Sequence, residues 1–355
     1  MRRARSKRPF SRASRQPGAS ERAWEGDHDE PKPFKVFYVT DIHGSEICWR
    51  KFLNAGTFYQ ADVVIVGGDI TGKAMVPIIR RQEQWDTTMF DQHVVLKTEA
   101  EVADIERKIR NRGYYPVRMS GDDYDQLQAD PEEVTRRFTQ VILQETQRWI
   151  EMADDKLRGK VHRVIVCPAN DDMFELDPLL HQQGHVVETN DQDPLDLEGF
   201  QMISLGWTNP TPWNTFRELP ENELAKRVDE LVAKVTDPSR TIFNFHAPPY
   251  RSGLDEAPAL DENLNLKAGG RAMQPVGSTS VRTAIERVQP LLGLHGHIHE
   301  SRGAVRIGRT LAINPGSSYE EGALQGALVT LDTKKAKIKT TCWSTDRTGR
   351  NSRHS

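Results

Sequence analysis

The chain has 355 residues, which is enough for one large domain or two ordinary ones. Hydrophobic residues make up 37% and charged residues 28%, and the formal net charge is −3, so a sizeable core is expected without a global attraction to nucleic acid or anionic membranes. No apolar run approaches the roughly 18 residues that a membrane-spanning helix needs, so no membrane partner is predicted.

The two ends of the chain differ from the rest. Residues 1–33 are predicted to form a disordered basic N-terminal tail, although an Arg- and Ser-rich start of this kind can also be an organelle transit peptide. The basic residues of this tail include Arg2, Arg3, Arg5, Lys7, Arg8, Arg12, Arg15 and Arg22. Residues 346–355 are predicted to form a polar C-terminal tail.

The three cysteines are Cys48, Cys167 and Cys342. They are widely spaced and odd in number, so they fit neither a disulfide framework nor a zinc knuckle. Reduced thiols of this kind are typical of cytoplasmic proteins, and a cytoplasmic location is predicted.

Five short apolar runs predict buried strands, and each run ends in a turn that carries polar side chains. The runs are rich in β-branched residues and apolar on both faces, which is typical of strands covered on two sides. They occupy residues 35–39, 61–66, 161–167, 241–245 and 291–294. Two later runs, at residues 326–331 and 337–343, resemble a closing pair of strands.

Helical patterns separate several of these strands. They cover residues 98–112, 130–156, 221–234 and 280–288. The segment 73–160 is too long for an ordinary connection between two core strands, so it is predicted to be a mostly helical insertion beside the site. The alternation of strands, loops and helices predicts a layered α/β sandwich.

Two pairs of polar residues follow predicted strands with the same spacing. Asp41 and His43 form one pair, and His297 and His299 form the other. Side chains two positions apart in an extended segment point to the same side, so each pair could bind one cation. Either pair alone is a weak signal, because a histidine at a strand end usually serves only in local hydrogen bonding.

Three further residues at strand ends complete a candidate metal site. Asp69 follows Gly67 and Gly68, which allow a close backbone approach, so its carboxylate could bridge two metals. Asn170 offers a carbonyl oxygen and His246 another imidazole. This donor set suits manganese, iron or zinc better than calcium or magnesium. All these turns follow predicted strands, where α/β proteins build their sites.

The order and spacing of these motifs resemble the calcineurin-like metallophosphoesterase superfamily. The motifs are Asp41-x-His43, Gly68-Asp69, Asn170, His246 and Gly296-His297-x-His299. The resemblance covers residues 34–343. The stretches His-Ala-Pro-Pro at 246–249 and Gly-His-Ile-His-Glu-Ser at 296–301 are most similar to the branch of predicted phosphoesterases related to cyclic-nucleotide phosphodiesterases. The motif set is specific for the superfamily but not for a substrate.

The resemblance implies one metallophosphoesterase domain over residues 34–345, folded as a four-layer α/β/β/α sandwich. It also implies two divalent metal ions and two-metal phosphoester hydrolysis, in which His246 helps to neutralise developing charge. The implied ligands are Asp41, His43, Asp69 and His299 for one ion, and Asp69, Asn170, His246 and His297 for the other. His295 lies outside the motif and is interpreted as a packed strand histidine.

The third motif departs from the superfamily pattern. The usual Gly-Asn-His-Asp or Gly-Asn-His-Glu is Ala169-Asn170-Asp171-Asp172 in this chain. The ligand asparagine is kept, but Asp171 replaces the histidine that would assist the leaving group. An ionised aspartate cannot donate a proton and would repel a phosphomonoester dianion. A preference for phosphodiesters or phosphoanhydrides over monoesters is therefore expected, with Asp171 as a catalytic residue.

A loop at residues 206–218 is a candidate for substrate binding. Arg217 could bind a phosphate through two hydrogen bonds, and Trp213 could shape a pocket. The alternative is a rigid surface loop in which Arg217 pairs with Glu218. Tyr250 is a weaker candidate of the same kind, for which a turn residue is the alternative.

The sequence as a whole predicts a metal-dependent phosphoesterase that acts on a small-molecule phosphoester. A nuclease is the first alternative, supported by the basic N-terminus and opposed by the acidic balance of the whole chain. A non-catalytic metal-binding interaction module is the second alternative, but such a module would be expected to lose ligands, and all of them are present. The physiological substrate, the native metal pair and the oligomeric state stay open.

Overall fold

The computed structural model describes residues 33–89, 91–181, 187–189, 193–345 and 353–354. These residues belong to one compact unit that begins at Pro33. The predicted N-terminal tail lies outside the described residues, except for Pro33. Of the predicted C-terminal tail only residues 353–354 are described, and they form a short strand.

The described residues of the first half of the chain form eight strands and five α-helices. In order they are β1 (Phe34–Val39), α1 (Glu46–Phe58), β2 (Val63–Val66), β3 (Met75–Arg81), β4 (Gln84–Met89), β5 (Gln92–Leu96), α2 (Glu99–Asn111), β6 (Tyr115–Ser120), α3 (Gly121–Ala129), α4 (Pro131–Leu157), β7 (Arg163–Val166), α5 (Asp177–His181) and β8 (Val187–Thr189).

The remaining elements are mostly strands. They are β9 (Leu195–Leu197), β10 (Phe200–Leu205), α6 (Glu221–Val232), β11 (Thr241–Phe245), β12 (Glu256–Pro258), β13 (Met273–Pro275), α7 (Thr279–Val288), β14 (Leu292–Leu294), β15 (Gly303–Ile307), β16 (Thr310–Asn314), β17 (Gln325–Asp332), β18 (Lys337–Thr345) and β19 (Arg353–His354).

Two large sheets form the centre of the fold. The seven-stranded sheet has the order β19-β18-β17-β1-β2-β7-β8, and the six-stranded sheet has the order β15-β16-β14-β11-β10-β9. Strands β1, β2, β7 and β8 run parallel in the first sheet, and β10, β11, β14 and β16 run parallel in the second. Their carboxyl ends therefore meet along one edge of each sheet, where the loops that follow them can form a site.

The hydrophobic residues of β1 show how the sheets are covered. Val36 and Tyr38 lie in a cluster with Met202 and Leu294 of the second sheet, so this face is buried between the two sheets. Phe37 and Val39 point to the opposite face and pack with residues of α1 and α4. Helices α6 and α7 cover the other face of the six-stranded sheet. The mixed α/β class predicted from the sequence is confirmed, and the count of four layers stays a prediction.

Segment 73–160 contains a small sheet as well as helices. Helices α2, α3 and α4 make up most of it, but β3–β6 form a four-stranded sheet, with the order β5-β4-β3-β6, that the sequence did not indicate. The starts of two of its helices were predicted correctly. Thr98 caps α2 and Asp130 caps α4 through side-chain hydrogen bonds. The second half of α4 is part of the main core, since Trp149 stacks on Trp49 of α1 with ring centroids 5.0 Å apart.

None of the helices in the described residues is both long enough and apolar enough to cross a bilayer.

Candidate metal centre

Five loops meet where the parallel strands end. They follow β1, β2, β7, β11 and β14, and they carry the ligands proposed from the sequence: Asp41, His43, Asp69, Asn170, His246, His297 and His299. Backbone hydrogen bonds tie neighbouring loops together, as the amide of Asp41 donates to Gly68 (3.0 Å) and the amide of Gly296 donates to His246 (3.0 Å). Residues far apart in the sequence are thereby held side by side.

The first group of ligand atoms belongs to Asp41, His43 and His299. One ligand atom of each residue lies within 4.8 Å of the others. His299 Nε2 is 3.4 Å from Asp41 Oδ1 and 3.2 Å from His43 Nε2. Asp41 and His43 are each only 1% exposed. This group, in which only His299 is partly exposed, has the size and donor types of a transition-metal site.

The second group belongs to Asp69, His246 and His297, whose ligand atoms also lie within 4.8 Å of one another. His246 Nε2 is 3.3 Å from Asp69 Oδ2. The same Asp69 oxygen is 3.7 Å from His43 Nε2 in the first group. The Asp69 carboxylate therefore lies between the two groups, where a bridging ligand would be placed.

Asn170 provides a test of whether a cation fits these residues. Its side chain is buried, and its amide nitrogen donates to Thr215 Oγ1 at 2.9 Å. Its carbonyl oxygen Oδ1 is buried and accepts no hydrogen bond from any described residue. A buried carbonyl oxygen without a donor is costly, and coordination of a cation would satisfy it. The donor set and this oxygen fit a divalent transition metal.

The backbone at the centre adopts an uncommon conformation. Asp41, His43, Asp69 and His297 have φ angles of 53°, 37°, 51° and 68°, in the left-handed region that side chains other than glycine seldom occupy. Gly68 is also at positive φ (136°), and a Cβ there would lie 2.4 Å from His246 Nδ1. Strain of this kind persists when the surrounding structure holds functional side chains in place.

The electrostatics of the groups favour ionised carboxylates. Burial acts to raise the pKa of Asp41, but His246 and His299 outweigh it and lower the pKa to about 2. In the same way, burial is outweighed at Asp69, whose pKa is lowered mainly by His246. Burial acts to lower the pKa of His246, yet Asp69 and Asp41 raise that pKa to about 9.

Two other histidines are kept neutral. Burial lowers the pKa of His43 to about 3, although Asp69 acts in the opposite direction. Burial, together with His246, lowers the pKa of His297 to about 4. A neutral imidazole and an ionised carboxylate are the forms that bind metal ions, so most of the cluster is already in the ligand state.

Asp171 lies against the first group and Asp69. Its amide donates to Asp69 Oδ1 at 3.0 Å, and its Oδ2 atom is 3.6 Å from His43 Nδ1. The same oxygen is 3.1 Å from Lys73 Nζ. Burial raises the pKa of Asp171, Asp69 raises it further, and Lys73 opposes both. Asp171, which was predicted from the sequence to be a catalytic carboxylate, thus lies beside the proposed ligands. It also forms an ion pair with Lys73.

Asp172 has a structural role that the sequence analysis did not assign. Its carboxylate is fully buried and accepts hydrogen bonds from the amides of Ala169 (2.8 Å), Ile70 (3.0 Å) and Thr71 (3.0 Å). It thereby ties the loop of Asn170 to the loop of Asp69. Two consecutive aspartates after a strand indicate a functional turn. The sequence alone does not show which of the two is buried, because this depends on contacts with other loops.

Arg217 does not reach toward the metal ligands, so its prediction as a phosphate-binding residue needs correction. Its guanidinium is buried and donates to Asp177 Oδ1 at 2.6 Å and to the carbonyl of Asp172 at 3.1 Å. Its backbone amide donates to Asn170 O at 3.2 Å. The proposed alternative partner Glu218 instead accepts from Thr211 Oγ1 at 2.6 Å. Arg217 therefore anchors the loop that supports Asn170.

The other two candidates for substrate contact are placed differently. Trp213 is 67% exposed, and it lies on the loop whose Thr215 accepts a hydrogen bond from Asn170. Tyr250 is half-buried, and its ring lies under Arg251 at 5.2 Å. No contact recorded for the described residues joins Tyr250 to the metal ligands.

His295 matches its interpretation as a packed strand histidine. It is fully buried, and its Nδ1 atom donates to the carbonyl of Phe245 at 2.8 Å. Its imidazole is not a member of either group of ligand atoms in the described residues.

A cavity of about 440 Å³ opens beside the first group. Its lining includes His299, Ser317 and Tyr319. The ring of Tyr319 lies 4.7 Å from that of His43. The cavity is large enough for a small organic ligand that reaches the clustered side chains.

Comparisons with known proteins show the fold but not the activity. No family model matches the chain. The uncharacterized protein MJ1162 of Methanocaldococcus jannaschii is 33% identical over 122 residues, which are 34% of this chain and 49% of that relative. The match thus spans about half the length of this relative.

Two solved structures also align with the chain. One covers 88% of this chain and 99% of its own with a TM-score of 0.51 and 16% identity, which shows a shared fold. A phosphatase from Mycoplasma pneumoniae covers 88% of this chain and 93% of its own with a TM-score of 0.41 and 12% identity.

Proposed function

We propose that the protein is a hydrolase of phosphoester bonds that depends on two divalent metal ions. The observation that carries this proposal is the position of Asp69 between two buried groups of carboxylate and imidazole donors. A structural ion pair does not require a second aspartate and four histidines around the carboxylate of Asp69. Such buried charges are costly without a bound cation.

The ligands divide between the two ions as the resemblance implies. Asp41, His43 and His299 would hold the first ion, His246, His297 and Asn170 would hold the second, and Asp69 would be shared by both. Imidazole-rich sites of this kind suit manganese, iron or zinc. When bound, such ions supply Lewis acidity and make water a nucleophile at neutral pH.

Residues of this chain orient the site. The Nδ1 atom of His246 lies 3.1 Å from Gly67 O, which fixes the ring and aims Nε2 at Asp69. Asp172 and Arg217 hold the loop of Asn170 from two sides. As a ligand, His246 would act on charge at the phosphoryl group through the ion that it holds.

The preferred substrates are small phosphodiesters or phosphoanhydrides. The ion pair with Lys73 favours the ionised form of Asp171, which has no proton to donate and would repel a monoester dianion more than a diester with one charge. The cavity beside His299 accommodates the organic part of the substrate. Trp213, which is exposed on the loop that contacts Asn170, is proposed as a further substrate contact on the side of the second group.

The experiment is a comparison of phosphoester hydrolysis with and without metal. The full chain, loaded with manganese, iron or zinc, is assayed against matched aryl monoesters and diesters, cyclic nucleotides, nucleotide pyrophosphates and single-stranded DNA. We expect hydrolysis that disappears with a chelator, returns with metal, and favours diesters or anhydrides. If no phosphoester is hydrolysed by protein whose metal content has been verified, the proposed function is wrong.

A further inference from the structure

Lys73 is placed at the metal centre by a loop that has little freedom. It follows Gly72, whose amide donates to the hydroxyl of Tyr115 at 2.8 Å. Thr71 is fixed in turn by Asp172, which accepts from both its amide and its hydroxyl. The backbone before Lys73 is therefore held by two buried contacts, and it continues the same loop that carries Asp69.

The side chain of Lys73 ends close to the proposed ligands. Its Nζ atom is 3.1 Å from Asp171 Oδ2, and that oxygen is 3.6 Å from His43 Nδ1. The amide of Asp171 donates to Asp69. Among the ion pairs of the described residues, no other lysine or arginine reaches Asp41, Asp69 or Asp171.

The ammonium is free to exchange partners. The Lys73 side chain is 51% exposed, whereas Asp171 is 19% exposed, so the lysine approaches the carboxylate from the solvent side. A half-exposed ion pair contributes little to stability, and its replacement by another anion costs little. A phosphate group presents several charged oxygens and is a better acceptor for an ammonium than one carboxylate oxygen is.

We infer that Lys73 is a substrate-binding residue whose ammonium contacts the phosphate group of the substrate, and that Asp171 holds it beside the metal ions until substrate arrives. This inference rests on the proposed function. It gives the site a half-exposed cation on the side of Asp171. Because the cation acts on charge, it matters more for a monoester dianion than for a diester.

The test compares three variants with the wild-type full chain. Lys73→Gln removes the charge, Lys73→Arg keeps it, and Lys108→Gln is the matched control. Lys108 is also an exposed lysine in an ion pair, with Asp104 at 2.8 Å on α2. Metal content is verified for each protein, and the affinity for inorganic phosphate is measured by calorimetry alongside kcat/KM for matched aryl esters.

We expect Lys73→Gln to weaken phosphate binding about tenfold, the size of one lost charged contact. It should lower kcat/KM for the monoester by a larger factor than for the diester. Lys73→Arg should restore most of the phosphate affinity, and Lys108→Gln should match the wild type. Asp171→Asn should strengthen phosphate binding, because Lys73 then has no competing carboxylate.

Two results would overturn the inference. One is an unchanged phosphate affinity and an unchanged ratio of the two esters in Lys73→Gln. The other is a loss of bound metal in Lys73→Gln with equal losses for both esters, which would assign Lys73 to support of the metal centre. Phosphate binding is measured without turnover, so failure of the hydrolase proposal would be seen separately, as absent activity in the wild type.

Discussion

Four residues at the metal centre occupy left-handed backbone conformations that their side chains disfavour. Asp41, His43, Asp69 and His297 each have a positive φ, and each is a proposed ligand. Strain of this kind costs on the order of 1 kcal/mol or more per residue and persists only where other contacts determine the conformation. The strained backbone therefore lowers the stability of these loops, but it directs the four donors toward a common point. This is expected of a metal site.

Asp171 determines the expected choice between monoesters and diesters. Asp171→Asn removes a negative charge beside the substrate and should raise the ratio of monoester to diester kcat/KM about tenfold. Asp171→His should raise it further, because an imidazole can also donate a proton to the leaving oxygen. The measurement uses aryl esters with the same leaving group and the same metal loading. A wild-type preference for the monoester that Asp171→Asn leaves unchanged would show that Asp171 does not face the substrate.

Arg217 is expected to act on stability rather than on substrate binding. Arg217→Met removes the charged hydrogen bonds to Asp177 and should lower the free energy of unfolding by about 2 kcal/mol. KM should change by less than about twofold, as for a residue without substrate contact. Trp213→Ala is the matched comparison, since its exposed ring should affect KM and leave stability nearly unchanged. A rise in KM for Arg217→Met at unchanged stability would restore the original prediction of phosphate binding.

The sequence identified the candidate ligands more readily than their supporting residues. Asp41 and His299 stand at strand ends with a recognisable spacing, so a local pattern reveals them. Lys73 and Asp172 act through contacts between the loops after β2 and β7, which are far apart in the sequence. No local periodicity encodes such a contact. Arg217 was misjudged for the same reason, since its partner Asp177 lies on another segment.

At the scale of elements, helix α4 belongs both to the long segment 73–160 and to the main core. Its first half follows the cap at Asp130, and its second half contributes Trp149 and Ile150 to the cluster that covers the seven-stranded sheet. Replacement of the whole segment by a linker would therefore expose the core.

The core role of α4 gives a stability prediction. Trp149→Ala should lower the free energy of unfolding by about 4 kcal/mol, because it removes a buried ring stacked on Trp49. Trp85→Ala is the control, because Trp85 is only partly buried in the separate cluster of β3–β6 and α2. It should lower the free energy by about 1 kcal/mol. Equal effects in denaturant titrations would show that α4 is not part of the main core.

Elements with regular spacing of hydrophobic residues or with a capping residue were predictable from the sequence. Elements without these features were not. Helices α2 and α4 have capping residues and regular apolar spacing, and both were found near their observed ends. Helix α1 has buried Cys48, Trp49, Phe52 and Leu53 at helical spacing, so its signal was present but overlooked. Strands β3–β6 mix exposed and buried positions, and β3 contains a proline, so their pattern did not indicate a sheet.

At the scale of the whole molecule, the candidate metal centre lies where loops of the two large sheets meet. Asp41, Asp69 and Asn170 come from the seven-stranded sheet, while His246 and His299 come from the six-stranded sheet. Bound ions would therefore resist separation of the sheets, because they bind the folded chain and not the unfolded one. At a free metal concentration of about 100 times Kd, one site adds about 2.7 kcal/mol to the free energy of unfolding.

Metal removal should accordingly destabilise the protein. We expect the chelated chain to unfold at a lower denaturant concentration than the metal-loaded chain, with a difference that grows with metal concentration. The control is His295→Gln, since His295 packs beside the centre without belonging to either ligand group, and its metal dependence should equal that of the wild type. A denaturation midpoint that does not respond to metal would contradict binding at the junction of the sheets.

The metal content of Asp69→Ala tests the central claim most directly. Wild-type protein purified without chelator and loaded with manganese or zinc should contain close to two ions per chain by elemental analysis. Asp69→Ala should lose both, because its carboxylate lies between the two groups, whereas Asp41→Ala and His246→Ala should each lose mainly one. Full occupancy in Asp69→Ala, or no bound metal in the wild type, would contradict a dinuclear centre bridged by Asp69.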